Sequence, residues 1–204
     1  MVRDNFEEVK KYFEFKNEGD FYLVVLYKRR KDQTKEDKFQ YRTNSIDVRF
    51  NMSIKDFYIF KESDLDKYKE EIITLSKLYN ARAYIFLQRK NYKTVYKYTF
   101  KYLADFLLTN KWDADVDIMH EAAVECYLDN KNRYLIDLDK EYFSYEKELI
   151  NYVLKYNDEY KIINSVTGKH IICDKIYESD FVIKYPFIYL HTNKPTILYY
   201  DNRK

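Results

Sequence analysis

Two aspartates close an apolar segment in the second half of the chain. Residues 134–139 read YLIDLD, so a single leucine separates Asp137 from Asp139. Side chains alternate along a β-strand, and both carboxylates would therefore point to the same side of a strand. Adjacent carboxylates repel each other and lose hydration unless a positive charge compensates them. The spacing suits Mg²⁺ or Mn²⁺, which prefer carboxylates and keep positions for waters or a phosphate. The alternative is a strand end that meets solvent.

A second candidate segment is NSVTGKHIIC, at residues 164–173. The chain has only two glycines, and Gly168 falls here between two apolar β segments. A glycine at this point allows a turn with positive φ and the close approach of a ligand. Four polar side chains flank it: Ser165, Thr167, Lys169 and His170. A cation, an imidazole and hydroxyls on one turn are suitable partners for a phosphate, although a simple hairpin with a structural histidine would read the same way.

A third apolar segment also ends in a carboxylate. The C-terminal residues read PTILYYDNRK, and Asp201 follows the apolar stretch. Because chain ends are commonly polar, Asp201 gains meaning only together with the two segments that precede it.

In this order, the three segments resemble the archaeo-eukaryotic primase superfamily, which includes the primase-polymerases of viruses and plasmids. Its pattern is an apolar strand ending in D-x-D, then a small residue, any residue and His on a later strand, then an apolar strand ending in a carboxylate. Gly168 stands where that family frequently has Ser, which leaves Thr167 or Ser165 to supply a hydroxyl. The chain has neither a zinc-binding cysteine module nor a helicase motif, so the resemblance is to a minimal, single-domain member.

The resemblance implies template-directed nucleotidyl transfer in the replication of a virus or mobile element. Asp137, Asp139 and Asp201 would be the catalytic carboxylates and would hold Mg²⁺ or Mn²⁺, which activate the attacking hydroxyl and stabilise the leaving pyrophosphate. The residues implied to bind the nucleotide are Ser165, Thr167, Lys169 and His170. The implied partners are nucleoside triphosphates, a single-stranded template or primer-template, and a replication helicase encoded separately.

A template also requires a basic groove, and residues 89–102, RKNYKTVYKYTFKY, are the best candidate. The basic side chains of this segment are Arg89, Lys90, Lys93, Lys97 and Lys101. Four-residue spacing stacks the last three in one stripe along a helix, where they could follow a phosphate backbone. A solvated helix face would show the same spacing. The KRRK run at residues 28–31 is a second candidate, and Arg82 could reach the site from a neighbouring strand.

Composition limits the classes of protein that fit. The 204 residues are 46% hydrophobic and carry a net charge of +2, which favours one domain with a sizeable core and leaves nucleic-acid binding to local patches. Cys126 and Cys173 lack metal-ligand spacing and are interpreted as reduced thiols of an intracellular protein. Without an apolar signal or spanning segment, the expected location is the cytoplasm, that of the host if the protein is viral, with no membrane partner.

The apolar periodicities predict the elements that position these residues. Strands are expected at residues 21–28, 81–88, 134–139, 159–164, 169–173, 187–190 and 196–200, with two more within 45–61. Helices are expected near residue 6, at 63–79 after a Ser63 cap, at about 93–108, 115–128 and 144–156, and at 176–184. This order predicts an α+β (mixed α/β) fold with a mixed sheet. The resemblance refines it to a primase-polymerase-like core in one domain, residues 1–204: an N-terminal αβ unit over about 1–110, and a C-terminal RRM-like sheet in the motif-bearing half, about 111–204.

Three rival functions share parts of these motifs. A non-catalytic nucleic-acid-binding or regulatory protein could have the same fold. A D-x-D glycosyltransferase would need the glycine-bearing turns of a nucleotide-sugar domain, and a metal-dependent nuclease gives no reason for the TGKH turn. The remaining histidines, His120 and His191, are interpreted as structural.

Overall fold

The elements of the chain come from a computed structural model, which describes residues 2–29, 32–33, 52–109, 118–126 and 133–201. The strands are β1 (Val2–Asp4), β2 (Asp20–Lys28), β3 (Met52–Ile59), β4 (Arg82–Ile85), β5 (Lys90–Asn91), β6 (Tyr134–Asp139), β7 (Lys161–Asn164), β8 (Gly168–Cys173), β9 (Tyr189–Thr192) and β10 (Thr196–Asp201). The helices are α1 (Phe6–Lys10), α2 (Glu62–Tyr79), α3 (Tyr92–Leu108), α4 (Ile118–Glu125), α5 (Glu146–Leu154) and α6 (Glu178–Lys184), with a 3₁₀ helix at Lys140–Tyr145. The fold is therefore α+β, as the sequence predicted.

The first sheet has the order β1-β10-β4-β2-β3, and β5 pairs with the start of β2. Strand β2 lies inside this sheet, and residues 20–26 are buried on both faces, which explains its nearly continuous apolar sequence. One face packs with residues of α1 and α2, such as Phe6 and Leu65. The other face packs with Val95 of α3 and Ala122 of α4.

The predicted N-cap of α2 is wrong by two residues. The helix begins at Glu62, and Lys61 occupies the cap position. Asp64 supplies the carboxylate, because its Oδ2 accepts hydrogen bonds from the backbone N–H groups of Phe60 and Lys61 at 3.0 and 3.2 Å. A charged carboxylate that accepts hydrogen bonds from two backbone N–H groups stabilises the start of the helix more than the neutral hydroxyl of Ser63 would.

The second sheet has the order β7-β8-β6-β9. Its elements follow one another as β6-α5-β7-β8-α6-β9. Helices α5 and α6 pack on one face, where Leu149 and Phe181 meet Ile136 and Leu138. Leu135 on the other face joins the core of the first sheet. The polar residues of β6 therefore lie on the face that turns toward the first sheet.

Strand β10 links the two halves of the chain. It comes last in sequence yet pairs with β1 on one side and β4 on the other. The boundary near residue 110 that the sequence predicted therefore does not coincide with the boundary between the two sheets, because the first sheet includes β10 from the C-terminal half.

The expectation of a mixed sheet is wrong, because every strand pairing among the described residues is antiparallel. Alternating strands and helices suggested parallel pairing, but each helix returns the chain to a strand that is not the immediate neighbour of the one it left. The predicted strands and helices otherwise coincide with observed ones within a few residues. The first of the two strands expected within 45–61 and most of the polar stretch before it lie outside the described residues. None of the helices in the described ranges is both long enough and apolar enough to span a bilayer.

Candidate functional site

The pairing of β6 with β8 brings the two sequence motifs together. Asp137 lies directly opposite His170, and Asp139 lies opposite Gly168. Directly opposed residues of antiparallel strands share one face of the sheet. The His170 Nε2 lies 3.6 Å from the Asp137 Oδ1. The carboxylates and the imidazole therefore form one cluster.

The cluster lies where the two sheets meet. His170 is 9% exposed, and its Nδ1 is 2.7 Å from the Oγ1 of Thr196. Thr196 is the first residue of β10 and is fully buried. The hydroxyl from the first sheet therefore fixes the orientation of an imidazole that belongs to the second sheet, and leaves Nε2 on the side of Asp137.

The hydroxyls of the β7–β8 turn act within the protein. The Ser165 Oγ accepts a hydrogen bond from the Gly168 N–H at 2.9 Å, and the backbone N–H of Ser165 donates to the Gly168 carbonyl at 3.0 Å. The Thr167 hydroxyl donates to Asp139 Oδ1 at 2.8 Å. Ser165 therefore holds the turn closed, while Thr167 orients one of the two carboxylates.

Gly168 is required for close packing, and the expectation of a positive φ there is wrong. Gly19 is the glycine with a positive φ in this chain, at 83°. A Cβ at position 168 would lie 2.0 Å from the backbone carbonyl oxygen of Leu138. The glycine therefore lets β8 approach the D-x-D strand at the level of Asp139, and the close neighbour is protein backbone.

Burial and charge both act on the Asp137 carboxyl. Burial is the main cause that raises its pKa, and the adjacent Asp139 raises it further, whereas His191 and Arg29 oppose the rise. The Asp137 Oδ1 is buried and accepts no hydrogen bond from the residues that the structure describes. An ionised Asp137 is consequently short of positive charge and hydrogen-bond donors.

His170 is neutral near pH 7. Burial lowers the pKa of the ring to about 4, His191 lowers it too, and Asp139 works in the opposite direction. The contact with Asp137 is therefore not an ion pair under these conditions. A neutral, oriented imidazole can donate or accept one hydrogen bond through Nε2, but it is a weak base.

Two predicted site residues lie away from the cluster. Lys169 points to the opposite face of the sheet, where its Nζ is 2.6 and 2.7 Å from the two carboxylate oxygens of Glu146. Asp201 lies at the far end of β10, beside Val2 of β1. Asp201 is five residue steps along the strand from Thr196, which corresponds to about 16 Å at the usual rise per residue. The structure brings neither side chain to Asp137.

Strand β9 brings to the cluster Tyr189, which the sequence motifs did not include, and His191, which was interpreted from the sequence as structural. Tyr189 lies opposite Asp137, and His191 lies opposite Leu135. Their rings are nearly parallel, with an interplanar angle of 8° and centroids 6.2 Å apart. Tyr189 is 69% exposed. Spacing by two residues was the available signal, but the sequence alone does not reveal that β9 pairs with β6.

The chemistry of Asp137 and Asp139 fits a hard divalent cation. Both carboxylates lie on one side, and the unpartnered oxygen of Asp137 is a suitable ligand. No cluster of three or more His, Cys, Asp or Glu side chains able to hold a metal occurs within the described part of the chain. Two carboxylates are sufficient when waters and substrate phosphates complete the shell, as is usual for Mg²⁺.

The predicted nucleic-acid patch divides into an exposed and a buried part. Lys93, Lys97 and Lys101 are exposed on α3. By contrast, the Arg89 Nε lies 3.2 Å from a carboxylate oxygen of the buried Asp20.

Lys90 and Arg82 are likewise engaged inside the protein. Lys90 is fully buried, and its Nζ donates to the carbonyl oxygens of Val124 and Cys126 at 3.1 and 2.9 Å. Burial lowers its pKa to about 8. Arg82 forms a bidentate pair with Asp32 at 2.8 and 3.0 Å. Neither cation extends the stripe on α3 or reaches the carboxylate pair. Within the KRRK run, the charge of Arg29 lowers the pKa of Asp137, whereas Arg30 and Lys31 lie outside the described residues.

Comparison of the chain with known proteins found no matching family model, no similar curated protein and no similar solved structure. Function is therefore inferred from the geometry of the cluster formed by Asp137, Asp139 and His170.

Proposed function

We propose that this protein catalyses metal-dependent nucleotidyl transfer on a nucleic-acid template, as a primase- or polymerase-like enzyme in the replication of a virus or mobile element. One observation carries the proposal: His170 faces Asp137 across the β6–β8 pair, with Asp139 next along the same face. A D-x-D strand and a strand that carries the histidine must be neighbours in this way if both contribute side chains to one phosphate-binding site.

The topology of the second sheet supports the same proposal. The element order β-α-β-β-α-β with the strand order β7-β8-β6-β9 is that of a split β-α-β unit. An RRM-like sheet has this arrangement, and such a sheet is what the resemblance to primase-polymerases implies. Fold alone does not determine function, so this observation is secondary to the cluster of side chains.

Asp137 and Asp139 would hold Mg²⁺ or Mn²⁺. The bound ion would supply Lewis acidity toward the attacking hydroxyl and positive charge toward the triphosphate. Thr167 keeps the Asp139 carboxylate in position through its hydrogen bond of 2.8 Å. Arg29, which acts electrostatically on Asp137, replaces Lys169 as the cation proposed to face the substrate phosphates.

His170 would position the phosphates of the incoming nucleotide. When the Thr196 hydroxyl donates to Nδ1, the ring hydrogen of the neutral tautomer is on Nε2, on the side of Asp137. That N–H can donate to a phosphate oxygen. With a pKa of about 4, the imidazole is too weak a base to be the group that deprotonates the attacking hydroxyl.

Primer extension with and without the carboxylates tests the proposal. We expect Asp137→Asn and Asp139→Asn to lower Mn²⁺-dependent nucleotide incorporation at least about 100-fold, because each removes a charged ligand that acts in the transition state. Asp158→Asn, at an exposed loop position, is the matched control and retains the wild-type rate. Extension at the wild-type rate by the Asp137→Asn/Asp139→Asn double variant would refute the metal-site assignment.

A non-catalytic nucleic-acid-binding or regulatory role is the second candidate. The position of Asp201, away from the carboxylate pair, favours it, because the third predicted carboxylate does not complete the set. Under this alternative, the purified protein binds nucleic acid but incorporates no nucleotide with any divalent ion, and both asparagine variants bind nucleic acid as the wild type does.

A further inference from the structure

Helix α3 presents two unlike stripes to solvent. The basic stripe consists of Lys93, Lys97 and Lys101, all of them exposed. The apolar stripe consists of Tyr96, Phe100, Leu103 and Leu107, which are 49%, 71%, 40% and 46% exposed. At 3.6 residues per turn, these two sets lie on adjacent faces of the helix. Val95 points away from both and packs into the core.

A solvated helix face explains the lysines but not the apolar stripe. Large apolar side chains that share one stripe mark a contact surface more often than singly scattered ones do. Phe100 and Tyr96 are flat rings that keep about half or more of their surface in solvent. Aromatic faces beside a row of cations are the combination that single-stranded nucleic acids use, since bases stack on the rings while phosphates meet the cations.

A cavity of about 400 Å³ opens at the side of this stripe. Seven aromatic residues line it, and four of them flank its α3 side: Tyr58 and Phe60, from β3 and the residue after it, and Tyr92 and Tyr96 from α3. This volume lies in the range of small-ligand sites, and flat aromatic walls suit a flat heterocycle. Tyr96 belongs to both the cavity wall and the exposed apolar stripe. A single strand of nucleic acid bound along the stripe could therefore place one unstacked base in the cavity.

We infer that this surface of α3 binds single-stranded nucleic acid. The three lysines contact successive phosphates, Tyr96 and Phe100 stack with bases, and the adjoining cavity accepts one base. A duplex keeps its base faces stacked inside, so only the unpaired strand can use the aromatic stripe. The inference depends on the proposed function only for the expectation of a nucleic-acid partner, and it requires neither metal nor catalysis.

A second copy of the chain is the rival occupant of the apolar stripe. Two copies packed through α3 would bring two rows of lysines close together, and like charges at an interface are costly. The basic stripe instead complements the phosphate backbone of a nucleic acid. Charge therefore favours the anionic partner.

Binding of a fluorescein-labelled oligothymidylate, followed by anisotropy in EDTA without nucleotide, tests the inference. One variant replaces the lysines with glutamine (Lys93, Lys97 and Lys101), and another carries Tyr96→Leu and Phe100→Leu, which keep apolar bulk but remove the rings. The matched controls are Lys77, Lys147 and Lys155 changed to Gln, and Tyr79 and Tyr177 changed to Leu, all of which are exposed and lie outside α3.

The lysine variant should bind more weakly and lower the magnitude of the slope of log affinity against log salt by about 2, because about 0.7 counterion is released per phosphate contact on a single strand. The leucine variant should lose about 10-fold or more in affinity with little change in the salt slope, because stacking is not a counterion effect. The wild type should prefer the single strand to a duplex of equal length, and both controls should bind as the wild type does.

Two results would overturn the inference. The first is wild-type affinity in the leucine variant together with a change in its molar mass by light scattering, which would assign the stripe to self-association. The second is equal affinity of the wild type for single strand and duplex. Because the assay contains no metal, its failure leaves the catalytic proposal to be judged by nucleotide incorporation, and loss of incorporation in the aspartate variants leaves strand binding unaffected.

Discussion

His170 and Asp137 come from distant segments of the chain, yet the His170 Nε2 lies 3.6 Å from the Asp137 Oδ1. The pairing of β6 with β8 sets this distance, and the hydrogen bond of 2.7 Å between His170 Nδ1 and Thr196 fixes the ring. Burial is the leading cause of two opposite shifts at this contact: it raises the pKa of the Asp137 carboxyl and lowers the pKa of the His170 imidazole to about 4. Loss of hydration therefore disfavours the charged form of both side chains.

Asp137→Asn should stabilise the metal-free protein at pH 7. A carboxyl whose pKa is raised in the folded state is most favourable when protonated, so its contribution is lost as pH rises through that raised pKa. Removing the charge should therefore increase the free energy of unfolding by about 0.5–2 kcal/mol, a gain that is common when a destabilising functional residue is replaced. Urea unfolding in EDTA at several pH values measures it, and the gain should shrink as the solution is acidified. A variant less stable than the wild type at pH 7 would contradict the electrostatic account.

His170→Gln should reduce the loss of stability in acid. The folded-state pKa of about 4 lies below the usual 6.5, so the histidine contributes stability above pH 6.5 that is lost as pH falls toward 4. In that window the wild type should lose up to about 1.4 kcal/mol per pH unit more than the variant. Parallel slopes for the two proteins in thermal unfolding from pH 7 to pH 4 would show that the ring is not buried as a neutral group.

Gly168→Ala should disturb the site through the backbone. The added Cβ would meet the Leu138 carbonyl oxygen at 2.0 Å, so β8 must move away from β6 at the level of Asp139. We expect a loss of about 1–3 kcal/mol in the free energy of unfolding, together with weaker Mn²⁺ binding by calorimetry. Gly19→Ala is the matched control: its φ of 83° and the nearby Tyr92 ring also make a Cβ unfavourable, but it lies away from the carboxylates. Equal losses of Mn²⁺ affinity in both variants would mean that the effect is global.

Nucleotide affinity should depend on Arg29 and not on Lys169. Lys169 pairs with Glu146 on the far face of the sheet, so the double variant Lys169→Met/Glu146→Met, which leaves no unpaired charge, should bind a fluorescent nucleoside triphosphate within about 2-fold of the wild type. Arg29→Gln should weaken that binding about 10-fold, as expected for one lost charge-assisted hydrogen bond. The opposite order of effects would restore Lys169 as the phosphate ligand.

Sequence periodicity determined the elements, because burial of apolar faces imposes a period of two on strands and 3.6 on helices. The segments YLIDLD and GKHIIC are strands, and the stripe of Lys93, Lys97 and Lys101 lies exposed on a helix. Alternation in a strand also gave the common side of Asp137 and Asp139. These are local properties, and they required no knowledge of which strand neighbours which.

Only the tertiary structure decided which of the candidate residues meet. Strand register placed His170 opposite Asp137 and turned Lys169 to the other face, since a shift of one residue exchanges the two faces of a strand. The position of β10 between β1 and β4 carried Asp201 away from the pair. The pairing of β9 with β6 brought Tyr189 and His191 to it. Such pairings are long-range contacts, fixed by the packing of two sheets on a shared core, and no short segment of the sequence encodes them by itself.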